Sequence, residues 1–319
     1  MTREEKNKAI SDANKETRAR RQSQTPLVFR LKIRNEKRNK KTGMFDHLKM
    51  VFVEGKWVRN AVLSEMNNKK RKISNIKDKE FKTVKHFDKD GNELVSDVTH
   101  LTSSLRLGII TELKWNLASL RKKKNKGQKV GRLKYESEHN TVLLIQYGIT
   151  HWITGPNSFH IQGIDKDIRV AGLRQLRYLE KNGIQYEISL AKLIKIADEY
   201  YIDLTVYVNK KQYALFKENR RQKKLKEQNK LSQHVNGIDM GLKDAIIDAN
   251  GRKFNASVEE TERLKRIQRS QCRKLIAAGW DPNGGKQQKV ERSNNWYRDR
   301  LKLQKEYAKN DNRKEAAAI

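Results

Sequence analysis

The stretch Tyr200-Tyr-Ile-Asp-Leu-Thr-Val-Tyr-Val-Asn209 alternates apolar and polar residues along most of its length. The apolar residues from Ile202 to Val208 fall on one face of an extended chain, and the polar residues between them fall on the other. A strand of this kind packs one face into a core and turns the other towards solvent. The sequence therefore predicts a sheet in which this stretch is a principal strand.

Shorter strands are predicted before this stretch, at 142–147, 151–154, 158–162 and 167–170, with two more strand-like stretches within 184–196. Strands this short and evenly spaced are typical of a small β-barrel or a strongly bent sheet. A further strand is predicted from Leu27, where apolar residues alternate with basic ones. The sequence gives this strand a basic outer face, formed by Arg30, Lys32 and Arg34.

Helical patterns lie between the first strand and the others. Residues 45–63 mix apolar and basic residues in a helical manner, and 103–121 repeats leucine and isoleucine at helical spacing. Between them, 81–95 reads as a hairpin whose turn uses Gly91 in a positive-φ conformation. The fold class predicted is α+β, a small, wedge-like β-barrel with a helical lobe inserted at about 45–125.

The charge of the chain restricts its partners. Of 319 residues, 71 are Lys or Arg and 38 are Asp or Glu, which gives a formal net charge of +33. This excludes an ordinary metabolic enzyme and calls for a polyanion: nucleic acid, an anionic membrane surface or an acidic protein. No apolar run approaches the roughly 20 residues that span a bilayer, and the polar start is unlike a secretory signal. We therefore expect no membrane partner.

Cys272 is the single cysteine, so the sequence allows neither an intramolecular disulfide nor a multi-cysteine zinc site. A reducing cytosolic setting follows, and no zinc is expected.

Residues 1–24 are charged and lack a periodicity that would form a buried apolar face, so we predict a basic arm that is mobile or ordered by RNA. Residues 210–230 carry nine Lys or Arg and two Glu and are predicted to be a basic helix or linker.

One motif contains a candidate catalytic carboxylate. The segment 235–254 reads as a strand ending at Asp239, a second strand at 245–249 and, after the turn Asn250-Gly251, a third strand. Asp239 would then lie in an otherwise apolar strand. A buried carboxylate is costly unless it is paired, hydrogen-bonded or bound to a metal. The flanking Gly237 and Gly241 would let a phosphate backbone and a metal ion approach closely.

The frame Gly237-Ile-Asp-Met-Gly-Leu242, with its hairpin, resembles the first RuvC motif of the TnpB family, transposon-encoded RNA-guided nucleases related to compact type V CRISPR effectors. The strands up to 208 look like the barrel that precedes RuvC in that family. The basic segment 262–275 and the segment 296–309 are similar to the helices that follow the motif. The resemblance is most specific over 235–275 and only general over the first hundred residues.

The resemblance implies a division of labour. Residues 25–209 would grip a guide RNA and its heteroduplex with target DNA, while base pairing supplies sequence recognition. Residues 210–230 would be a linker, and 231–319 would be a RuvC, RNase H-like α/β domain in which acidic residues hold two Mg²⁺ ions. Asp239 corresponds to the first of these acids. The expected location is the cytoplasm of a prokaryotic or phage-like system, near the nucleoid.

The sequence departs from the family after this point. No residue can be assigned to the second or third catalytic carboxylate, because Asp244 and Asp248 are too close to Asp239 in sequence. The chain is therefore expected to be C-terminally truncated relative to the family and not to cut DNA alone. Two alternatives stay open: an RNA-guided DNA-binding repressor without nuclease activity, and a basic RNA-binding scaffold.

The candidate phosphate-binding residues are basic residues in clusters or at helical spacing. Trp115 and Trp152 are predicted to pack in the core or the barrel, with stacking on a base as the alternative. The full candidate set is Arg30, Lys32, Arg34, Arg121, Lys122, Lys123, Lys124, Lys126, Arg220, Arg221, Lys223, Lys224, Arg263, Arg266, Arg269, Arg273 and Lys274.

Overall fold

The computed structural model describes the backbone of residues 2–34, 44–87, 91–231, 238–239, 246–248, 253–254, 258–281 and 290–317. Within these ranges the chain forms a mixed α+β structure. Its helices are α1 (Arg3–Gln22), α2 (Met44–Asn67), α3 (Ser103–Asn125), α4 (Arg174–Lys181), α5 (Lys210–Leu231), α6 (Val258–Ala277) and α7 (Asn294–Ala317), with 3₁₀ turns at Ile73–Asn75 and Asp78–Phe81.

The strands belong to three sheets. Seven of them form one antiparallel sheet in the order β4-β8-β9-β1-β7-β6-β5. The strands are β1 (Gln24–Ile33), β2 (Thr83–Phe87), β3 (Glu93–Asp97), β4 (Thr141–Leu144), β5 (His151–Gly155), β6 (Ser158–Ile161), β7 (Ile168–Ala171), β8 (Tyr186–Ile196), β9 (Glu199–Asn209), β10 (Ile238–Asp239), β11 (Ile246–Asp248) and β12 (Lys253–Phe254).

The seven-stranded sheet curls into a nearly closed barrel. An isolated bridge between Tyr147, just beyond β4, and His151, the first residue of β5, brings its two edge strands together. The longest ladder joins β1 to β9, with Arg30 opposite Asp203 and Leu31 opposite Ile202. Because opposed residues share a face, this register places the apolar residues of both strands in the core.

The helices between β1 and β4 share the core of the sheet. Phe52 of α2 stacks on Tyr200 of β9 with ring centroids 5.7 Å apart. Gly108 of α3 lies directly against β4, since a Cβ at this position would approach the carbonyl oxygen of Leu143 to 2.1 Å. Leu105, Ile109 and neighbouring residues of the same helix face are buried in one cluster with the barrel interior. The inserted helices therefore complete the core that the sheet begins.

The strands β2 and β3 form the predicted hairpin between α2 and α3. Gly91 adopts a φ of +91°, the left-handed conformation that glycine tolerates best. One face of the hairpin packs on α2, where the ring of His86 stacks on Trp57 at 4.1 Å.

The chain divides into two compact units: residues 1–195 with 199–217, and residues 218–319 with 196–198. In the second unit β10, β11 and β12 form an antiparallel ladder in chain order. The helices α6 and α7 pair with each other, and Trp296 is buried on α7.

The α+β class, the barrel-like sheet and the inserted helices are confirmed, whereas the RNase H-like character of 231–319 stays a prediction. Three local features differ from expectation. Residues 3–22 form a helix although they lack an apolar stripe, because Thr2 and Glu5 make a capping box and the segment is rich in helix-forming residues. The short helix α4 was not predicted, and 186–196 is one strand instead of two stretches.

Candidate nucleic-acid interface

The basic face predicted for the first strand exists, but its charges are paired. The guanidinium of Arg30 donates two hydrogen bonds to the Asp203 carboxylate, at 2.8 and 2.9 Å. Lys32 donates to Glu199 at 2.6 Å. The ladder dictates these pairs, since Asp203 lies directly opposite Arg30 and Glu199 lies two residues from the partner of Lys32. Phosphate would have to compete with a carboxylate at both positions.

Arg34, the third predicted residue of this face, lies just beyond the strand. Its main-chain nitrogen donates to the carbonyl oxygen of Arg169 at 2.9 Å. Phosphate binding by Arg30, Lys32 and Arg34 stays a prediction, and the structure gives the first two of these residues a carboxylate neighbour that sequence reasoning did not anticipate.

The end of α3 is the opposite case. Arg121, Lys122, Lys123, Lys124 and Lys126 are all exposed, and none of them forms an ion pair with a carboxylate in the described part of the chain. Three of the lysines lie in the last turn, where cations are favoured by the helix dipole. The carbonyl oxygens of that turn are occupied by the main-chain nitrogens of Lys126 and the residues after it. The lysine ammonium groups are therefore left for an external anion.

A second basic cluster lies on α5. Arg220, Arg221, Lys223 and Lys224 are exposed, and no described carboxylate pairs with them. The predicted basic linker is thus a 22-residue helix over 210–231. Its acidic neighbour Glu218 accepts a hydrogen bond from Gln222 at 3.3 Å.

The helix α6 divides its basic residues between two roles. Two of them bind buried carboxylates on α7: Arg263 contacts Glu306 at 3.1 Å, and Lys274 contacts Asp299. The Lys274 ammonium holds the pKa of Asp299 below its usual range, and Ser270 donates a further hydrogen bond to the same carboxylate. These contacts join the two helices, so Arg263 and Lys274 stabilise the α6–α7 pair.

Three other arginines lie on an exposed side of α6. Arg266, Arg269 and Arg273 are exposed and recur at i, i+3 and i+7, which places them on one side of the helix. Leu264 and Ile267, which lie near these arginines in sequence, are half-buried. The spacing therefore separates a packing side from a basic side, and the basic side has no described carboxylate partner.

The predicted catalytic residue Asp239 lies on β10, the first strand of the three-stranded ladder. The register sets Asp239 opposite Ile247 and Ile238 opposite Asp248. Adjacent positions of a strand belong to different faces, so Asp239 and Asp248 occupy different faces of this ladder. Asp244, the other acid considered, lies outside the described residues.

Among the residues whose side chains are described, no group of three or more His, Cys, Asp or Glu is arranged to hold a metal ion. The Asp239 side chain lies outside that set, so the predicted Mg²⁺ contact stays a prediction. An aspartate is a suitable ligand for this hard cation, which binds oxygen donors.

The structure also reveals features that the sequence did not indicate. Trp115 is 46% exposed on α3, so the prediction that it packs in the core is wrong. Trp152 is half-buried and stacks on His160 at 4.2 Å, as a barrel-packing residue would.

A polar cleft of about 310 Å³ lies at one end of the barrel. Arg20, which lines the cleft, contacts the Glu187 carboxylate. Arg21 contacts the same carboxylate and covers the Tyr207 ring.

A comparison with protein-family models finds no match to this chain, and a comparison with curated proteins finds none either. Within the described residues, no helix is long and apolar enough to cross a membrane. The geometry of the described residues separates two groups: basic residues that bind carboxylates, and basic residues that are exposed on helices without a described carboxylate partner.

Proposed function

We propose that this chain is an RNA-guided DNA-binding protein of the TnpB type, which holds a guide RNA and its target DNA without cutting by itself. The observation that carries the proposal is the unpaired basic end of α3, where five cations meet no described carboxylate. Uncompensated lysines and arginines bind phosphates by releasing the counterions around a nucleic acid. Similar unpaired clusters on α5 and α6 add to this capacity.

The second part of the proposal concerns the segment around Asp239. The resemblance to the family implies a first RuvC motif with a hairpin, followed by a basic helix. In support, β10, β11 and β12 pair in chain order, and α6 follows them with three arginines on its exposed side. In the family such a domain binds Mg²⁺, which activates water for phosphodiester hydrolysis.

We propose no DNA cleavage by this polypeptide alone. Asp239 is the single residue that matches a catalytic acid of the family, and Asp248 lies on the other face of the ladder. One carboxylate cannot neutralise two divalent cations, so the site would need further acids to work. Asp239 is assigned a role in holding Mg²⁺, and the binding surfaces are assigned to RNA and DNA.

The test begins with the RNA that copurifies with the full chain. After sequencing, DNA that matches this RNA and a scrambled DNA of equal length are compared for binding in the presence of Mg²⁺. We expect the complex to retain the matching DNA selectively and leave it intact. Equal retention of both DNAs would favour the basic RNA-binding scaffold, and cleavage that disappears in Asp239→Ala would show that the nuclease is complete.

A further inference from the structure

The exposed indole of Trp115 is an exception within its own helix. Five of the seven large apolar residues from Leu105 to Leu117 are buried or half-buried, whereas Trp115 is 46% exposed and Leu107 is 42% exposed. A single exposed apolar residue is common on protein surfaces and needs no explanation by itself. Trp115 differs from Leu107 in its position relative to the basic end of α3.

Helical geometry places Trp115 in line with the exposed lysines. At about 100° per residue, Lys122 and Lys126 lie within about 20° of the direction of Trp115, while Leu107 lies about 80° away. The two lysines follow the indole by about 10 Å and about 16 Å along the helix axis. Between them, Ala118 and Ser119 are exposed and small. An anionic chain could thus approach the helix surface closely between the aromatic ring and the lysines.

The charge of this stripe suits a nucleic acid. The only acidic residue of α3 is Glu112, which accepts hydrogen bonds from Lys192 at 2.9 Å and from Thr141 at 3.3 Å. Glu112 lies about 60° from the direction of Trp115 and is turned towards β4 and β8. The stripe itself therefore presents one aromatic plane and two ammonium groups with no carboxylate among them.

We propose that Trp115 is a stacking platform for an unpaired base of the bound RNA, with Lys122 and Lys126 holding phosphates of the adjoining nucleotides. The proposal rests on the nucleic-acid binding proposed above and narrows its ligand to a single-stranded or bulged segment. A base inside a duplex offers no free face to an indole, whereas an unpaired base stacks on aromatic side chains regardless of its identity.

The experiment compares two probes: an unstructured RNA of about 16 nucleotides and the blunt duplex that it forms with its complement. Fluorescence anisotropy measures the Kd of each probe for the full chain and for Trp115→Ala, Trp115→Phe and Leu107→Ala. We expect Trp115→Ala to weaken single-strand binding about 5- to 100-fold and to change duplex binding less than about twofold. Trp115→Phe should recover most of the loss, and Leu107→Ala should behave as the parent chain.

Tryptophan fluorescence supplies a second measurement. The single strand should quench the emission of the parent chain, and Trp115→Ala should lose that part of the quenching although four tryptophans remain from the original five. Circular dichroism checks that the variant is folded, which is expected for truncation of an exposed side chain.

The outcomes separate the two proposals. Unchanged single-strand affinity in Trp115→Ala, or an equal loss for both probes, overturns the stacking role while leaving RNA binding in place. If the parent chain binds neither probe, the proposed function fails and the stacking platform fails with it.

Discussion

The β1–β9 face and the end of α3 look alike in sequence and differ in structure. Both offer closely spaced lysines and arginines, but Arg30 and Lys32 are held by Asp203 and Glu199, whereas Lys122 to Lys126 meet no described carboxylate. The difference arises from what lies next to each element. A strand has a neighbour on each side, and here that neighbour brings acids into register. A helix that extends past its packing partners has no such neighbour.

A basic sequence pattern therefore predicts where positive charge lies, but it does not predict whether that charge is free to bind phosphate. An ion pair on the surface contributes little stability, about 0–1 kcal/mol, yet it cancels the field that would attract a phosphate. Part of the net charge of +33 therefore lies in exposed clusters on α3, α5 and α6 that no described carboxylate compensates.

The largest expected effect comes from removing the unpaired charges of α3. Replacement of Lys122, Lys123, Lys124 and Lys126 by Gln should reduce RNA affinity about 100-fold at about 0.15 M salt and reduce the salt slope of binding by about 3, since each lost phosphate contact removes about 0.7 from that slope. Titrations of labelled RNA over a range of salt concentrations measure both quantities. An unchanged salt slope would show that these lysines of α3 do not contact the RNA phosphates.

The next effect concerns the interior of the barrel. His151 is fully buried, and burial lowers its pKa to about 4, with the Ser189 main chain opposing this shift only in part. The imidazole of His151 binds a proton more tightly in the unfolded chain than in the folded one. Acidification therefore favours unfolding, and the folded state loses stability as the pH falls from about 6.5 to about 4. The free energy of unfolding should fall by about 2 kcal/mol between about pH 7 and pH 5 from this residue alone.

Urea unfolding at the two pH values checks this prediction. His151→Gln should lose that portion of the pH dependence, whereas His160→Gln, on the neighbouring strand and paired with Asp167, should retain it. If His151→Gln and the parent chain lose the same stability on acidification, then His151 is not buried between the edge strands of the barrel.

A smaller effect is expected in the α6–α7 pair. Asp299→Asn removes the charge that binds Lys274 and should destabilise the pair by about 1 kcal/mol, a value reduced because Lys274 is partly exposed to water. The pKa of Asp299 is lowered in the folded state, so its contribution is present above the pKa of the unfolded carboxyl and is lost as the pH falls through the folded value.

Hydrogen exchange of the α6 and α7 amides measures this loss, which corresponds to about fivefold weaker protection. The exposed Glu262→Gln on α6 is the control and should leave protection unchanged. A loss of the same size in the control would mean that general charge, rather than the buried pair, stabilises the helices.

The smallest effect is expected on the β1–β9 face. The double replacement Arg30→Gln with Asp203→Asn removes a cation and its anion together, so it keeps the net charge and the hydrogen-bonding shape of the pair. The free energy of unfolding should change by less than about 1 kcal/mol, and RNA affinity should change less than about twofold. A tenfold loss of RNA affinity would show that Arg30 contacts phosphate despite its carboxylate partner.

Much of the fold follows from local patterns. The alternation from Ile202 to Val208 and the helical spacing from Leu105 to Leu117 correctly identify β9 and α3. β11 and β12 pair as the predicted hairpin requires, while its turn, Asn250-Gly251, lies outside the described residues. These signals are local because one buried face dictates the period of each element. The helix α1 was missed because caps and propensity stabilise it without an apolar stripe.

The candidate interface was less predictable. No local pattern indicates that Asp203 would face Arg30 across 173 positions of sequence, since this requires the register of two strands. The exposure of Trp115 likewise depends on which side of α3 the sheet covers. The basic end of α3 was predictable because a run of lysines after a helix has few ways to be buried.

Ultraviolet crosslinking of the bound RNA, with mass spectrometry of the crosslinked peptides, determines whether the RNA contacts the end of α3 or the β1–β9 face. We expect crosslinks at Trp115 and within the basic segment 121–126, and far fewer on β1. Crosslinks concentrated at Arg30, Lys32 and Arg34, with none on α3, would contradict this expectation.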